Sequence, residues 1–245
     1  KSMSETSTKV FILEVMGRNS GWIAASAGLS KEKANDPPHI ILFPEVPFNK
    51  SKVLKKVTSS IKRYGYCVMA VSEGTRYKNG TFLSDAGLTD AFGHKQLGGI
   101  APKISSLIQE SLGYKCHWAV SDYLQRSARH IASKVDLQQS LAVGEAAVKF
   151  ALSGENSVMP VIIRNKGKSY TWKIGKIPLS RVANIEKVLP KRYISKDGFG
   201  ITKSCKDYML PLIQGEAFPP YKNGVPAIAK LRNILVKKKL KKFII

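Results

Sequence analysis

The sequence predicts an α/β protein built on a doubly wound, mostly parallel β-sheet. Short apolar runs rich in β-branched residues recur through residues 10–120, each bounded by turn signals. Between them lie stretches with helical spacing of apolar residues. The 245 residues are 43% hydrophobic, enough to bury a sizeable core. Such alternation belongs to sheets covered by helices on both faces.

Residues 10–15 (VFILEV) read as a buried strand, 21–34 as a helix and 39–43 (HIILF) as a second strand. From 51 to 64, Val53, Leu54, Val57, Ile61 and Tyr64 share one helical face. A third strand is expected at 66–71 (YCVMAV), followed by a Gly- and Asp-rich loop to Gly99. A helix over about 100–112 and a fourth strand at 116–120 (CHWAV) complete the series. Beyond Ser127 the pattern changes. A long amphipathic helix is expected over 136–152, capped by Asp136 and ended by Ser153 and Gly154. Strands at 158–164 and 170–174, a short helix near 180–186 and further helices in the last quarter follow. One helix and two strands make a poor domain alone, so these elements are expected to dock on another sheet. The units expected are residues 1–130, 131–200 and a C-terminal segment, 201–245, of helices and basic tail.

The net charge of +23 is the extreme feature. Such an excess can serve a nucleic acid or a membrane surface. Here the basic residues are scattered, with few interleaved aromatics, no helix-turn-helix pattern and one long block, residues 237–242. Nucleic acid is therefore not the expected partner. No apolar run reaches the roughly 18 residues needed to span a bilayer, so no membrane partner is expected either. Cys67, Cys116 and Cys205 show no metal-ligand spacing, which implies a reduced, cytoplasmic protein without structural zinc. The first eight residues carry no capping logic before a strand begins, as expected of a sequence cut from a longer protein.

Open parallel sheets bind ligands beyond the carboxyl ends of their strands. Those ends carry Met16-Gly17-Arg18, Pro44-Glu45, Ser72-Glu73-Gly74 and Tyr123-Leu124-Gln125-Arg126. Arginine suits phosphate because its planar fork gives two parallel charge-assisted bonds. A carboxylate suits sugar hydroxyls, and a glycine lets a ligand approach the backbone. Together these residues describe a sugar-phosphate pocket. No Ser-His-Asp order, metal-ligand set or Walker-type loop competes with it.

At these same residues the sequence resembles the phosphofructokinase family. Glu14-Val15-Met16-Gly17-Arg18 with Gly21-Trp22 is similar to its first signature, and residues 123–129 (YLQRSAR) to its second. Pro44-Glu45 and Val71-Ser72-Glu73-Gly74 recur at the expected places between them. The stretch 90–99 (DAFGHKQLGG) resembles the branch that often uses pyrophosphate in place of ATP. The resemblance implies a two-domain phosphofructokinase-like fold whose N-terminal part is absent here. Residues 1–130 would form the fructose 6-phosphate domain, and 131–200 would complete the donor-binding domain.

Residue by residue, the resemblance implies that Met16 and Gly17 touch the sugar phosphate and that Arg18 stabilises the transferring phosphoryl group. Glu73 would hold sugar hydroxyls, and Tyr123 and Arg126 the 6-phosphate. Lys9 and His117 would reach a neighbouring subunit's site in a homo-oligomer, a dimer or tetramer. Lysine is a point charge and histidine is only partly protonated at pH 7, so weaker contacts are expected there than from arginine. The family's glycine-rich donor loop and its T-I-D-N-D stretch, source of the base and the Mg²⁺ ligand, do not occur in these residues. The resemblance thus implies an acceptor pocket without a donor site, inactive alone. Pyrophosphate or ATP, and Mg²⁺, would be held by the missing half. The competing expectations are a non-catalytic sugar-phosphate-binding or partner-subunit fragment and a basic nucleic-acid binder.

Overall fold

The computed structural model describes residues 5–89, 95–97, 99–167 and 169–240. Its centre is a four-stranded parallel sheet: β1 (Thr8–Val15), β2 (Ile40–Leu42), β3 (Cys67–Ser72) and β6 (Lys115–Val120), in the order β2-β3-β1-β6. Val10 aligns with Cys67 on one side and Cys116 on the other, so β1, like β3, is an interior strand paired on both sides. The fold class predicted from sequence is the one observed. Among the described residues no helix is long and apolar enough to cross a membrane.

Each face of the sheet has its own core. On one, Val10, Ile12, Met69 and Val71 meet α2 (Lys50–Tyr64) and α3 (Ile100–Leu112) through Val53, Val57, Ile104 and Ile108. The helix α2 begins where the Asn49 side chain accepts from Lys52 N at 3.0 Å and ends at Gly65, whose φ of +83° costs a glycine little. The opposite face is covered from two distant parts of the chain. Ala24 and Ala25 of α1 (Trp22–Ser26) share it with Leu189, Tyr193 and, from α6 (Lys203–Met209), Cys205 and Met209. Trp22, Tyr193 and Tyr208 pack ring against ring there, with centroids 5.5–5.9 Å apart.

Several elements differ from the sequence reading. The helix expected over 21–34 is only α1 and a 3-10 segment, Ala27–Ser30. Lys33 N donates to Asp36 Oδ2 at 2.6 Å, a local bond that competes with helix. The expected loop before Gly99 contains β4 (Asp85–Thr89) and β5 (Lys95–Leu97), an antiparallel pair, although residues 90–94 and 98 lie outside the described residues. Helix α5 spans Lys134–Leu152, and its cap is Ser133 rather than Asp136. The Ser133 hydroxyl accepts from Asp136 N at 3.3 Å, so the helix begins a few residues early. In place of the helix near 180–186 there is a single 3-10 turn, Leu179–Arg181. The last quarter holds α6 and 3-10 turns at Lys191–Tyr193 and Leu210–Ile213. It ends in a two-residue hairpin, β9 (Tyr221–Lys222) and β10 (Val225–Pro226), with no regular element through Lys239. Pro219, Pro220, Gly224 and Pro226 break helix periodicity there.

The antiparallel pair β7 (Val158–Arg164) and β8 (Trp172–Pro178) lies against α5. Of α5's nineteen residues only Gln139 and Ala146 are buried, and Leu141 and Val148 remain 66% and 59% exposed. Ile163 of β7 is also exposed. This small layer hides little of its own apolar surface.

A turn at 195–199 closes the edge of the sheet beside β2. The Asp197 carboxylate accepts from Lys56 Nζ at 2.7 Å, Ser195 Oγ at 2.6 Å and Phe199 N at 3.1 Å. Burial pushes its pKa up, but these hydrogen bonds outweigh burial and hold it at about 2. A depressed acid contributes stability above the unfolded value near 3.8 and loses it as pH falls toward 2. Asp197→Asn should therefore lower the thermal midpoint at pH 7, with the gap to wild type closing between pH 4 and pH 2. A gap unchanged across that range would show that the turn does not depend on the charge.

Candidate functional site

Because β1 lies between β3 and β6, their carboxyl ends adjoin, and hydrogen bonds join the loops that follow. Gly17 N donates to Glu73 Oε1 at 3.0 Å, and Met16 N donates to Gln125 Oε1 at 2.8 Å. Ser72 Oγ donates to the Gly17 carbonyl at 2.6 Å. Glycine is required at two points. Gly17 has φ +134°, and a Cβ there would lie 2.6 Å from Ser20 O. A Cβ on Gly74 would lie 1.8 Å from the Arg18 carbonyl oxygen. The two loops are in backbone contact, and no side chain fits between them.

The residues singled out by sequence divide into two groups. Met16, Gly17, Arg18 and Glu73 are half-buried along this rim. Tyr123 and Arg126 stand exposed beside it on the turn that includes α4 (Leu124–Ser127), Arg126 over the Tyr123 ring at 5.0 Å. They border a shallow depression of about 450 Å³, also lined by Asp122 and Ser127. Among the described residues no hydrogen bond or ion pair engages the Arg18 guanidinium. Its backbone is fixed instead, since Arg76 Nη2 donates to the Arg18 carbonyl at 3.0 Å and to Asn19 Oδ1 at 2.9 Å.

Lys9 and His117 are not brought to the rim. Lys9 is near the amino end of β1, and His117 pairs with Phe11 on the outer strand β6, exposed. Glu45, at the end of β2, faces another task. Its Oε1 accepts from Gly21 N at 2.9 Å and Leu189 N at 2.8 Å. Ser20 Oγ and Trp22 Nε1 both donate to the Lys187 carbonyl, at 2.9 and 2.8 Å. The loop after β1 is thus clamped to residues 187–189.

Three positioning side chains carried no role in the sequence reading: Gln125, Ser72 and Glu14. All three stand inside the recognised motifs, where only their neighbours were given roles. Glu14 is 5% exposed and its Oε2 accepts from Ala101 N at 2.9 Å, at the start of α3. That helix begins at Gly99, which offers no side-chain acceptor, so a residue 87 positions away satisfies its first turn. Burial is the main cause that raises the Glu14 pKa above 4.5, aided by the nearby charges of Glu73 and Asp122, while the Ala101 N–H opposes it. Among the described residues no three His, Cys, Asp or Glu side chains form a cluster fit for a metal ion.

The two arginines and the bracing carboxylate stand at the carboxyl ends of the strands, the edge at which open α/β sheets bind their ligands. Residues 1–151 match the phosphofructokinase family. The chain belongs to that family. It is 55% identical over 242 residues to the pyrophosphate–fructose 6-phosphate 1-phosphotransferase of Halomonas elongata, covering 99% of this chain and 58% of that protein. The enzyme of the same name from Methylococcus capsulatus is 50% identical over 98% of this chain and 57% of that protein. The crystal structure of the pyrophosphate-dependent phosphofructokinase from Marinobacter aquaeolei superposes with a TM-score of 0.86 at 52% identity, over 98% of this chain and 57% of that one. The chain spans somewhat over half the length of these relatives.

The Glu14 geometry makes a signed expectation. An acid raised above its unfolded value destabilises the fold as pH climbs from 4.5 through the folded value. Glu14→Gln keeps an acceptor for Ala101 N and removes the charge. It should therefore match wild type near pH 4 and equal or exceed it at pH 7. Urea midpoints at the two pH values check this, and a variant less stable at pH 7 than at pH 4 relative to wild type would contradict it.

Proposed function

We propose that this chain supplies the fructose 6-phosphate side of a cytoplasmic, glycolytic phosphofructokinase that uses pyrophosphate as donor. The observation that carries the reading is the rim. Three strand ends are hydrogen-bonded into one edge that presents Arg18 and Arg126, with the Arg18 guanidinium unengaged among the described residues. The names of the longer relatives support pyrophosphate over ATP.

In this reading the 1-hydroxyl oxygen of fructose 6-phosphate attacks the terminal phosphorus of pyrophosphate in line. The P–O bond to the bridging oxygen breaks, orthophosphate leaves, and the hydroxyl proton passes to a base supplied by the part of the longer relatives that this chain does not match. Arg126 and Tyr123 hold the 6-phosphate. Met16 and Gly17 line the approach to it, and Gly17 has no side chain to obstruct a ligand. Glu73 commits Oε1 to Gly17 N, leaving Oε2 to accept from sugar hydroxyls. Arg18 offsets charge on the transferring group. Lys9 and His117, away from the rim, serve a neighbouring copy's pocket in a homo-oligomer. Residues 1–130 with the returning segment around 189–209 make the sugar-phosphate unit, and α5 with β7 and β8 belongs to the donor side. Mg²⁺ belongs to that side as well.

Replacing Arg126 with alanine in the complete enzyme should weaken fructose 6-phosphate binding by about 1.5–3 kcal/mol, the usual worth of a charged hydrogen bond. Titration calorimetry reads it, and unchanged affinity would remove Arg126 from the pocket. Arg18→Ala should instead depress kcat by roughly two orders of magnitude or more with little change in KM, as for an electrostatic stabiliser of the transition state. A held kcat with a raised KM would make Arg18 a ground-state ligand.

A further inference from the structure

A second feature, sharing no residue with the rim, lies where the 195–206 segment packs beside β2. It is a cavity of about 240 Å³, room for roughly eight waters at ~30 Å³ each. Lys31, Lys56, Lys206, His39, Ser195 and Asp197 contribute its polar lining. We propose that this cavity is a binding site for a phosphate-type anion, either inorganic phosphate or the phosphate group of a small metabolite.

The argument begins with charge. Most of the chain's lysines are dispersed on exposed surface, as Lys52 and Lys55 are on the outer side of α2. Lys31, Lys56 and Lys206 differ: each is half-buried, and they come from three separate elements to one cavity. Against three ammoniums the cavity holds one carboxylate, Asp197, which is taken by Lys56 at 2.7 Å. The Lys206 ammonium donates to the Lys31 backbone carbonyl. The Lys31 ammonium has no hydrogen bond or ion pair among the described residues. Half-buried positive charge left unmatched is unfavourable, and an anion among these groups would relieve it.

The neighbours agree. Burial, and then the charges of Lys56 and Lys206, lower the Lys31 pKa, while Asp197 and Asp36 act in the opposite sense without restoring it. His39 is 5% exposed, and its Nδ1 accepts from Val68 N at 3.0 Å, which places the proton on Nε2. That N–H is buried without a hydrogen-bond partner, with the Asn35 carbonyl as its neighbouring acceptor. A lysine ammonium is a compact point charge suited to a phosphate oxygen. Ser195 Oγ is spent on Asp197 and leaves the lysines as the principal donors.

The test is calorimetric titration with inorganic phosphate at constant ionic strength, in the Arg126→Ala protein so that the rim does not compete. Saturable binding is expected. Lys31→Met and Lys206→Met, which keep the aliphatic stems, should each weaken it about tenfold, the loss of one charged hydrogen bond. Lys31→Arg should retain it within about threefold. Glycerol 2-phosphate titrated in parallel assigns the source: tighter binding than phosphate marks a metabolite ester, weaker binding marks free phosphate. No saturable heat from either probe, or equal affinity in Lys31→Met, overturns the proposal. Should the methionine variants fail to fold, ¹³C-methyl resonances of reductively methylated lysines in the Arg126→Ala protein decide it. A phosphate-dependent shift at Lys31 supports the site, and its absence overturns it.

Discussion

Everything at the rim depends on one close approach, that of the Gly17–Arg18 backbone to Gly74. A methyl group at Gly74 would sit 1.8 Å from the Arg18 carbonyl oxygen, so the two strand ends stay in contact only while that position is bare. The contact lets Ser72 and Glu73, on one loop, bond both the carbonyl and the N–H of Gly17 on the other. These two bonds hold the peptide units on either side of the Gly17 Cα, and with them the direction in which Met16 and Arg18 leave the sheet. Arg76 completes the arrangement by donating to the Arg18 carbonyl. The polar groups that would otherwise be left bare by a loop folded over a sheet end are thereby satisfied.

The sheet and its two layers were legible because periodicity reports burial directly. The run 10–15 lies within an interior strand, and α3 is found where the spacing of Ile100, Ile104 and Ile108 put it. What escaped were decisions made by single side chains. Ser133 rather than Asp136 starts α5 because a hydroxyl three residues ahead of an N–H makes the cap, and both residue types cap well. The 21–34 helix stops early: α1 tightens into a 3-10 turn after Ser26, Lys31 is already extended, and beyond it Lys33 N bonds the Asp36 side chain in place of a helical carbonyl. In the C-terminal quarter, where further helices were expected, prolines and glycines in plain view break the helical pattern after Ile213. At the site, the strand-end rule located the rim residues, but spacing says nothing of Glu14 reaching α3 across 87 positions. Pairings over such distances belong to the tertiary fold alone.

The apolar surface of α5 and β7 poses a separate physical demand. Leu141 and Val148 are more than half exposed on a helix with two buried residues, an unusual ratio for a helix that packs on a sheet. The family relatives extend well beyond the matched region, and the same face in them has further chain available to cover it.

The double coverage of the sheet has a consequence for biosynthesis. One face closes early, since α2 and α3 follow their strands within a few dozen residues. The other waits for Leu189, Tyr193 and Cys205. At a synthesis rate of ~5–20 residues per second, the interval between emergence of Ser72 and of Leu189 from the ribosome is roughly 6–24 s. Through that interval Ile41 and Phe43 have only the short helix α1 over them, and a nascent sheet bare on one side is the kind of surface that chaperones engage. Translation speed between these two points therefore sets how long the growing chain remains vulnerable to misassembly.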